Sequence, residues 1–260
     1  MLNQSASLQQ VDFDGIALKP LEIDVASLSS VPFEEVTLDY EGPAAFPSPE
    51  TLERLAEQAR LRVTVPVRAD GFDPLGDDRR WEQLPADAEI ALVAGNPAYL
   101  SSGERDRAIA PRLAAAINRA PQSWVGTEGI ERIALATGAP QYELLAEGTT
   151  GRIRALRQAG FDGEIAVYAP TVLTDREDEQ LDVLGSYVAR RRRVAEALPP
   201  ETIPDRSASG RARDVLLAAC ADYAIVGDPD TANERIAELR AAGVDHVVGY
   251  PARGAAGFDL

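Results

Sequence analysis

Several polar side chains stand directly after short apolar runs of the sequence, where a protein of alternating strands and helices would carry a reaction centre. If each run is a strand of a parallel sheet, the residues that follow it gather at one end of that sheet. Carboxylates, a guanidinium, an amide and a phenol at that end can bind a polar substrate and exchange protons with it. The predicted catalytic residues are Asp39, Glu41, Arg68, Asn96 and Tyr168.

Three glycine-containing turns precede predicted helices, whose first amides could bind a phosphate. The turn Gly148-Thr149-Thr150-Gly151 brings two hydroxyls and no acid, whereas Glu128 and Asp228 in the other two turns would repel an anion. None of the three matches a Walker or dinucleotide-binding fingerprint. Gly148, Thr149, Thr150 and Gly151 are therefore the predicted cofactor-binding residues, with ordinary helix capping as the alternative.

No metal site is predicted, because the chain has one cysteine and one histidine. Cys220 lies in an apolar stretch typical of a helix core, which does not activate a thiol. His246 lies near the start of the last apolar run, where packing is the expected role.

The apolar runs alternate with segments of helical periodicity along the whole chain. Strands are predicted at 15–18, 35–39, 61–67, 89–94, 123–125, 142–145, 164–168 and 245–250. Helices are predicted at 23–30, from Ser48 as N-cap, and at 77–84, 101–120, 128–137, 149–160, 175–198, 209–221 and 230–242. The short apolar segment 223–226 is taken as part of the final connection.

Eight strands separated by helices predict an α/β protein with a single-domain (β/α)8 TIM-type barrel. The domain spans residues 1–260, with residues 1–12 as a candidate disordered tail. An open doubly wound sheet is the main alternative.

The charge balance points to a salt-adapted cell. The chain has 42 acidic and 26 basic residues, a net charge of -16, and Lys19 is its only lysine. Such a surface fits a halophilic, archaeal protein, because molar salt screens charge repulsion over about 3 Å. An acidic surface for a basic partner is the alternative, but the acids are spread along the chain. Nucleic acid is not an expected partner, and stability is expected to depend on salt.

The location predicted from sequence is the cytoplasm. The first ten residues are polar without a signal-peptide pattern, and no apolar run approaches the roughly 20 residues of a membrane span. No membrane association is expected.

The C-terminal stretch resembles the end of luciferase-like monooxygenases, and most of all the archaeal methylenetetrahydromethanopterin reductase branch. The resemblance rests on 225–230, 234–236 and 238–248, where the turn Gly227-Asp228-Pro229 opens a helix before the last strand. A looser likeness covers 156–163 and 165–168. Without this looser part, the resemblance covers roughly a tenth to a fifth of the chain.

This resemblance implies a barrel that binds coenzyme F-420 or FMN at the C-terminal ends of its strands and transfers a hydride to or from a small-molecule substrate. It also implies a homodimer as a common assembly. The family's glycine-rich central segment and its histidines have no counterpart here. A non-redox or ligand-binding barrel without a cofactor therefore stays open as the alternative.

Overall fold

A sheet of nine strands forms the centre of the computed structural model, which describes residues 8–28 and 30–252. The strands are β1 (Gly15–Leu18), β2 (Glu35–Leu38), β3 (Arg60–Pro66), β4 (Glu89–Val93), β5 (Trp124–Gly126), β6 (Gln141–Leu144), β7 (Ile165–Val172), β8 (Ile225–Val226) and β9 (His246–Pro251). They join in the order β6-β5-β4-β3-β2-β1-β9-β7-β8, and a further pairing of β6 with β7 closes β1 to β7 and β9 into a ring. Neighbours from β1 to β6 run parallel. The predicted eight-stranded parallel β/α barrel is confirmed.

Helices follow most of the strands. They are α1 (Pro49–Gln58), α2 (Ser102–Arg105), α3 (Ile109–Arg119), α4 (Glu131–Ala136), α5 (Thr149–Gln158), α6 (Glu177–Ala189), α7 (Arg192–Ala197), α8 (Gly210–Tyr223) and α9 (Pro229–Ala242). As predicted, Ser48 caps α1 by accepting the Thr51 N–H, and Pro49 opens the helix, where its missing N–H costs nothing. Among the described residues, none of the helices has the length and apolarity needed to span a membrane.

Four predicted helices and one predicted connection differ from the structure in kind or continuity. The predicted helices 101–120 and 175–198 are each divided in two. The described part of 23–30 forms turns. The Arg54 guanidinium donates hydrogen bonds to the carbonyls of Val25 and Ala26, each at 3.0 Å, and so holds the segment in this form. In 77–84 only Trp81–Gln83 is helical, as a 3-10 turn. The segment predicted as a connection contains β8, which pairs in parallel with the end of β7.

Contacts divide the chain into two compact units. The first unit comprises Asp14–Leu144 and Asp162–Val167, and so includes β1 to β6 with α1 to α4. The second comprises the described parts of Met1–Phe13, Leu145–Phe161 and Tyr168–Asp259. The assignment of residues 1–260 to a single domain stays a prediction.

In the first unit, successive residues of β2 and β3 face opposite sides of the sheet. Val36 and Leu38 are fully buried on the apolar side, and α1 packs against β3. The other side carries polar residues that are also buried, beginning with Glu35 and Thr37. Gly15 lies beside Glu35 in register, and a Cβ there would stand 2.7 Å from the Glu35 carbonyl oxygen. Glycine is therefore required at this position.

The second unit has an apolar core between α6 and α8. Leu181, Leu184 and Leu216 are buried there together with Cys220. Burial raises the pKa of the Cys220 thiol to about 12, so the thiol stays protonated and unreactive. Of the predicted N-terminal tail, residues 1–7 lie outside the described residues. Within its described part, Leu8 and Val11 are buried.

Candidate functional site

Two residues that directly follow β1 and β2, and one residue within β3, form one row near the C-terminal ends of these strands. Strand register pairs Leu18 with Leu38 and Leu38 with Val63, so the next residues are Lys19, Asp39 and Thr64. The Asp39 N–H donates to the Leu18 carbonyl at 2.9 Å, which continues the β1–β2 pairing to this level. We call Lys19, Asp39 and Thr64 the C-terminal row.

Thr64 orients the Asp39 carboxyl group. Its Oγ1 donates to Asp39 Oδ1 at 2.8 Å and accepts the Tyr40 N–H at 2.7 Å. Because the main-chain donor occupies the Thr64 oxygen, the hydroxyl proton is directed at Oδ1. A carboxyl group that accepts on one oxygen favours the other oxygen for its own proton. Asp39 therefore holds or takes a proton at Oδ2.

The environment of Asp39 favours its neutral form. Burial raises the pKa of this carboxyl above 3.8, its ordinary value, because the charged form loses hydration. The Lys19 amine and the Thr64 hydrogen bond lower the pKa, while Glu41 and Glu128 raise it, and the net shift is upward. Such a carboxyl can exchange protons nearer to neutral pH than an exposed aspartate can.

Glu41 connects three loops at the same end of the sheet. Its side chain is almost fully buried, with Oε2 accepting the Leu21 N–H at 2.7 Å and Oε1 accepting the Tyr99 hydroxyl at 2.9 Å. Leu21 follows β1 and Tyr99 follows β4. Burial and the Glu41 carboxylate raise the pKa of Tyr99, so this phenol stays protonated and keeps donating. Both Glu41 oxygens are engaged, which gives Glu41 a positioning role.

Arg68 and Asn96 stabilise the loop that follows β4. The buried Arg68 guanidinium donates to the carbonyls of Ala94 at 2.7 Å, Gly95 at 3.0 Å and Arg105 at 2.9 Å. Asn96 is exposed, and its Oδ1 accepts the Ala98 N–H at 2.9 Å as the cap of a 3-10 turn. Both side chains thus have structural contacts, and their predicted contact with a substrate stays a prediction.

The opposite ends of β2, β3 and β4 carry an ion network in which Arg62 and Glu35 are buried and Glu89 is partly exposed. Arg62 pairs with Glu35, and its Nη2 lies 2.6 Å from Oε2 of Glu89. Its guanidinium also lies 4.2 Å from the centre of the Trp124 ring. Arg60 reaches the second Glu35 oxygen at 2.8 Å. We call Glu35, Arg62 and Glu89 the N-terminal network.

The predicted phosphate cradle lies in the second unit, at the start of α5. Gly148 adopts the left-handed conformation with φ 78°, and the first helical turn contains no acid. The Thr149 side chain is buried, and its hydroxyl accepts the Ala146 N–H at 3.0 Å and an Arg152 N–H at 2.9 Å. The side chain of Thr149 therefore belongs to the turn. By helix geometry the amides of Thr150 and Gly151 have no acceptor within α5.

Tyr168 and Glu147 also lie in the second unit. Tyr168 lies within β7, half-buried, and its carbonyl accepts the Leu145 N–H at 2.9 Å. The Glu147 carboxylate, just before the predicted cradle, pairs with Arg193 at 3.1 Å. The structure thus places Asp39, Glu41, Arg68 and Asn96 in one unit, and Tyr168 and the α5 start in the other.

Sequence reasoning missed Thr64 and Tyr99 as partners of the site, and it also missed the N-terminal network at the opposite strand ends. The available signal was the alternation of polar residues in runs expected to be buried, as in Glu35, Thr37 and Asp39. Within residues 8–28 and 30–252, no group of three His, Cys, Asp or Glu side chains is placed to hold a metal ion.

Comparison with known proteins gives a family and two similar barrels. Residues 8–258 match the model of a family of unknown function, DUF7388. No curated protein matches the chain. An F420-dependent secondary alcohol dehydrogenase, solved in complex with an F420-acetone adduct, is 12% identical and covers 92% of this chain and 94% of its own, with a TM-score of 0.55. The structure of apo-MsnO8 is 14% identical and covers 95% and 93%, with a TM-score of 0.54. At these identities the likeness shows the fold.

Proposed function

We propose that this chain, which belongs to the DUF7388 family of unknown function, is an oxidoreductase that transfers a hydride between coenzyme F-420, or FMN, and a small-molecule substrate. The observation that carries this proposal is the Asp39 carboxyl at the C-terminal end of β2, which is oriented by Thr64 and has a raised pKa. Active sites of parallel β/α barrels lie at this end of the strands. The similar barrel of an F420-dependent alcohol dehydrogenase supports the choice of coenzyme.

Hydride transfer at a carbon that bears oxygen needs a partner for the oxygen's proton. When bound, a deazaflavin or flavin accepts or gives the hydride. In this proposal Asp39 exchanges the proton through Oδ2, and Thr64 keeps that oxygen available by engaging Oδ1. Glu41 and Tyr99 position the surrounding loops. The protonated carboxyl gives this proton in one direction of the reaction, and the carboxylate takes it in the other.

The start of α5 fits the phosphate that both coenzymes carry. The amides of Thr150 and Gly151 point out of the first turn, and a Cβ on Gly151 would meet no atom within 4 Å. Glu147 is the nearest acid in sequence, and Arg193 offsets its charge. We propose the main chain of Thr150 and Gly151 as the phosphate ligands.

Titration with coenzyme F-420 and with FMN in molar salt tests the proposal. We expect saturable binding of one of them with a Kd in the micromolar range, about -8 kcal/mol. Asp39→Asn should keep this affinity and lower kcat with an alcohol substrate about a hundredfold or more, the usual contribution of an acid–base group. Absence of binding at tens of micromolar would exclude the proposed activity and leave the cofactor-free barrel.

Gly151→Asp tests the phosphate ligands separately from folding. A carboxylate in the first turn stabilises a helix, so this variant should be at least as stable as the parent chain. It should nevertheless weaken coenzyme binding about tenfold or more, since it repels phosphate. Gly151→Asn, with the same shape and no charge, is the matched control and should bind nearly normally. Equal affinity of the two variants would place the phosphate elsewhere.

A further inference from the structure

We propose that Lys19 is a nucleophilic amine that forms an imine with neutral aldehydes or ketones, with Asp39 as its proton donor and acceptor. This activity needs no coenzyme, so it stands or falls independently of the proposed hydride transfer. It would make the C-terminal row a covalent site for carbonyl compounds.

The first support is the geometry of the row. Lys19 and Asp39 directly follow Leu18 and Leu38, the last paired residues of two parallel strands, which lie about 4.8 Å apart. The Asp39 N–H bond to the Leu18 carbonyl, at 2.9 Å, fixes this register up to the residue before Lys19. Thr64 holds the carboxyl from the other side at 2.8 Å. Lys19 and the oriented Asp39 carboxyl group are therefore neighbours in the row, close enough for the Lys19 charge to act on Asp39, at the barrel end where catalysis occurs.

The second support is chemical. Lys19 is the only lysine of the chain, whereas all other basic side chains are arginines, which stay charged and do not act as nucleophiles. A primary amine is required for imine formation. The one side chain that can supply it thus lies at the C-terminal end of a barrel strand, half-buried beside a carboxyl group.

The reaction balances with the groups of the row alone. The Asp39 carboxylate first takes a proton from the Lys19 ammonium group. The amine then adds to the carbonyl carbon, forming the C–N bond as the C=O π bond breaks, and one amine proton passes to the oxygen by way of Asp39 to give a carbinolamine. The nitrogen lone pair then forms the C=N bond as the C–O bond breaks, and the oxygen leaves as water with the proton of the Asp39 carboxyl. The products are a cationic imine, an Asp39 carboxylate and water. No electrons are gained or lost.

The charges near the row select the substrate class. The carboxylates of Glu41 and Glu128 act on Asp39, and Lys19 is the basic group acting there. Anionic keto acids would be repelled by these acids, whereas neutral carbonyl compounds would not. We therefore expect propanal and acetone to react in preference to pyruvate.

Reductive trapping tests the proposal. The folded protein in molar salt is treated with propanal and sodium cyanoborohydride, and the modified peptide is identified by mass spectrometry. We expect one adduct at Lys19, formed at least about tenfold faster than the adduct at the α-amine of Met1. Pyruvate should label Lys19 more slowly than propanal. Because the chain has a single lysine, the two amines are distinguished by one peptide map.

Two controls make the outcome decisive. Asp39→Asn, which keeps the shape of the side chain, should lower the trapping rate at Lys19 about a hundredfold, the range of acid–base assistance. The wild-type chain unfolded in guanidinium should label Lys19 and Met1 at similar rates. Trapping at Lys19 that is no faster in the folded chain than in the unfolded chain, or that is unchanged in Asp39→Asn, would overturn the proposal.

Discussion

The two ends of β2 and β3 bury polar groups on the same side of the sheet, but with opposite electrostatic outcomes. At the N-terminal network, Arg62 faces Glu35 and Glu89, so that each buried charge meets an opposite one. At the C-terminal row, burial outweighs the neighbouring amine and raises the pKa of Asp39. The first arrangement holds its charges fixed, while the second leaves a proton free to move. Glu35, at the start of β2, belongs to a structural site, whereas Asp39, directly after the end of β2, belongs to a candidate reactive site.

The largest expected effect of breaking this contrast is at the N-terminal network. Arg62→Met leaves the fully buried Glu35 without its principal partner, so the free energy of unfolding should fall by about 3–5 kcal/mol. Chemical denaturation in molar salt measures it. The matched control is Arg60→Gln, because Arg60 pairs with the same carboxylate but is half-exposed, and its loss should cost about 0–1 kcal/mol. Equal costs for the two variants would mean that the network is not what stabilises this end.

The next effect is at Thr64. Thr64→Val removes the acceptor of the buried Tyr40 N–H and the donor to Asp39, and should lower the free energy of unfolding by about 1–3 kcal/mol. Thr64→Ser keeps the hydroxyl and should cost less. Since the Thr64 hydrogen bond lowers the pKa of Asp39, that pKa should rise further in the valine variant only. Infrared titration of the carboxyl band, with Asp39→Asn as the blank, reads this shift. A serine variant that behaves like the valine variant would argue against the hydrogen bond.

A smaller effect concerns pH. The pKa of Asp39 is raised on folding, so its neutral form favours the folded state below about pH 4, and this contribution is lost as pH rises through the folded pKa. Asp39→Asn cannot ionise and lacks this loss. Relative to the wild type, the variant should therefore gain stability as pH increases from about 4 towards neutral. Thermal unfolding across that range measures the difference. A constant difference would mean that Asp39 titrates as an exposed aspartate does.

The smallest expected effect is the salt dependence of the cost of Arg62→Met. A net charge of -16 should make the whole chain less stable in dilute buffer, where the Debye length grows from about 3 Å at 1 M to about 30 Å at 0.01 M. Buried pairs are screened much less than exposed ones. The cost of Arg62→Met should thus change by less than about 1 kcal/mol across a salt series that shifts the parent chain more strongly. A cost that vanishes in high salt would show that water reaches the network.

The strands could be predicted from sequence because each of them is a short run of apolar residues. β1 has the predicted bounds, β4 ends one residue earlier than predicted, and β3 begins and ends one residue earlier. The divided helices were harder. A capping box between Ser101 and Glu104 starts α2, but α2 has only four residues, and periodicity does not reveal where such a turn stops.

The sequence predicted where the site residues lie along the chain, but not which side chains contact them. Strand-end reasoning identified Asp39 and Glu41, because it needs only the strand bounds. It did not find Thr64, since the residue that contacts Asp39 follows from the register between two strands, which one sequence does not contain. Tyr99 was missed for a similar reason, as its contact with Glu41 spans 58 positions of the chain.

The N-terminal network also has a consequence for folding. Arg62 on β3 contacts Glu35 on β2 and Glu89 on β4. Because side chains alternate sides along a strand, a shift of β3 by one residue would move Arg62 to the apolar side and leave Glu35 and Glu89 without this partner. Apolar strands alone would tolerate such a slip more easily. The network therefore favours a single register of β2, β3 and β4. The same register of β2 and β3, together with that of β1 and β2, aligns Lys19, Asp39 and Thr64 at the other end of the strands.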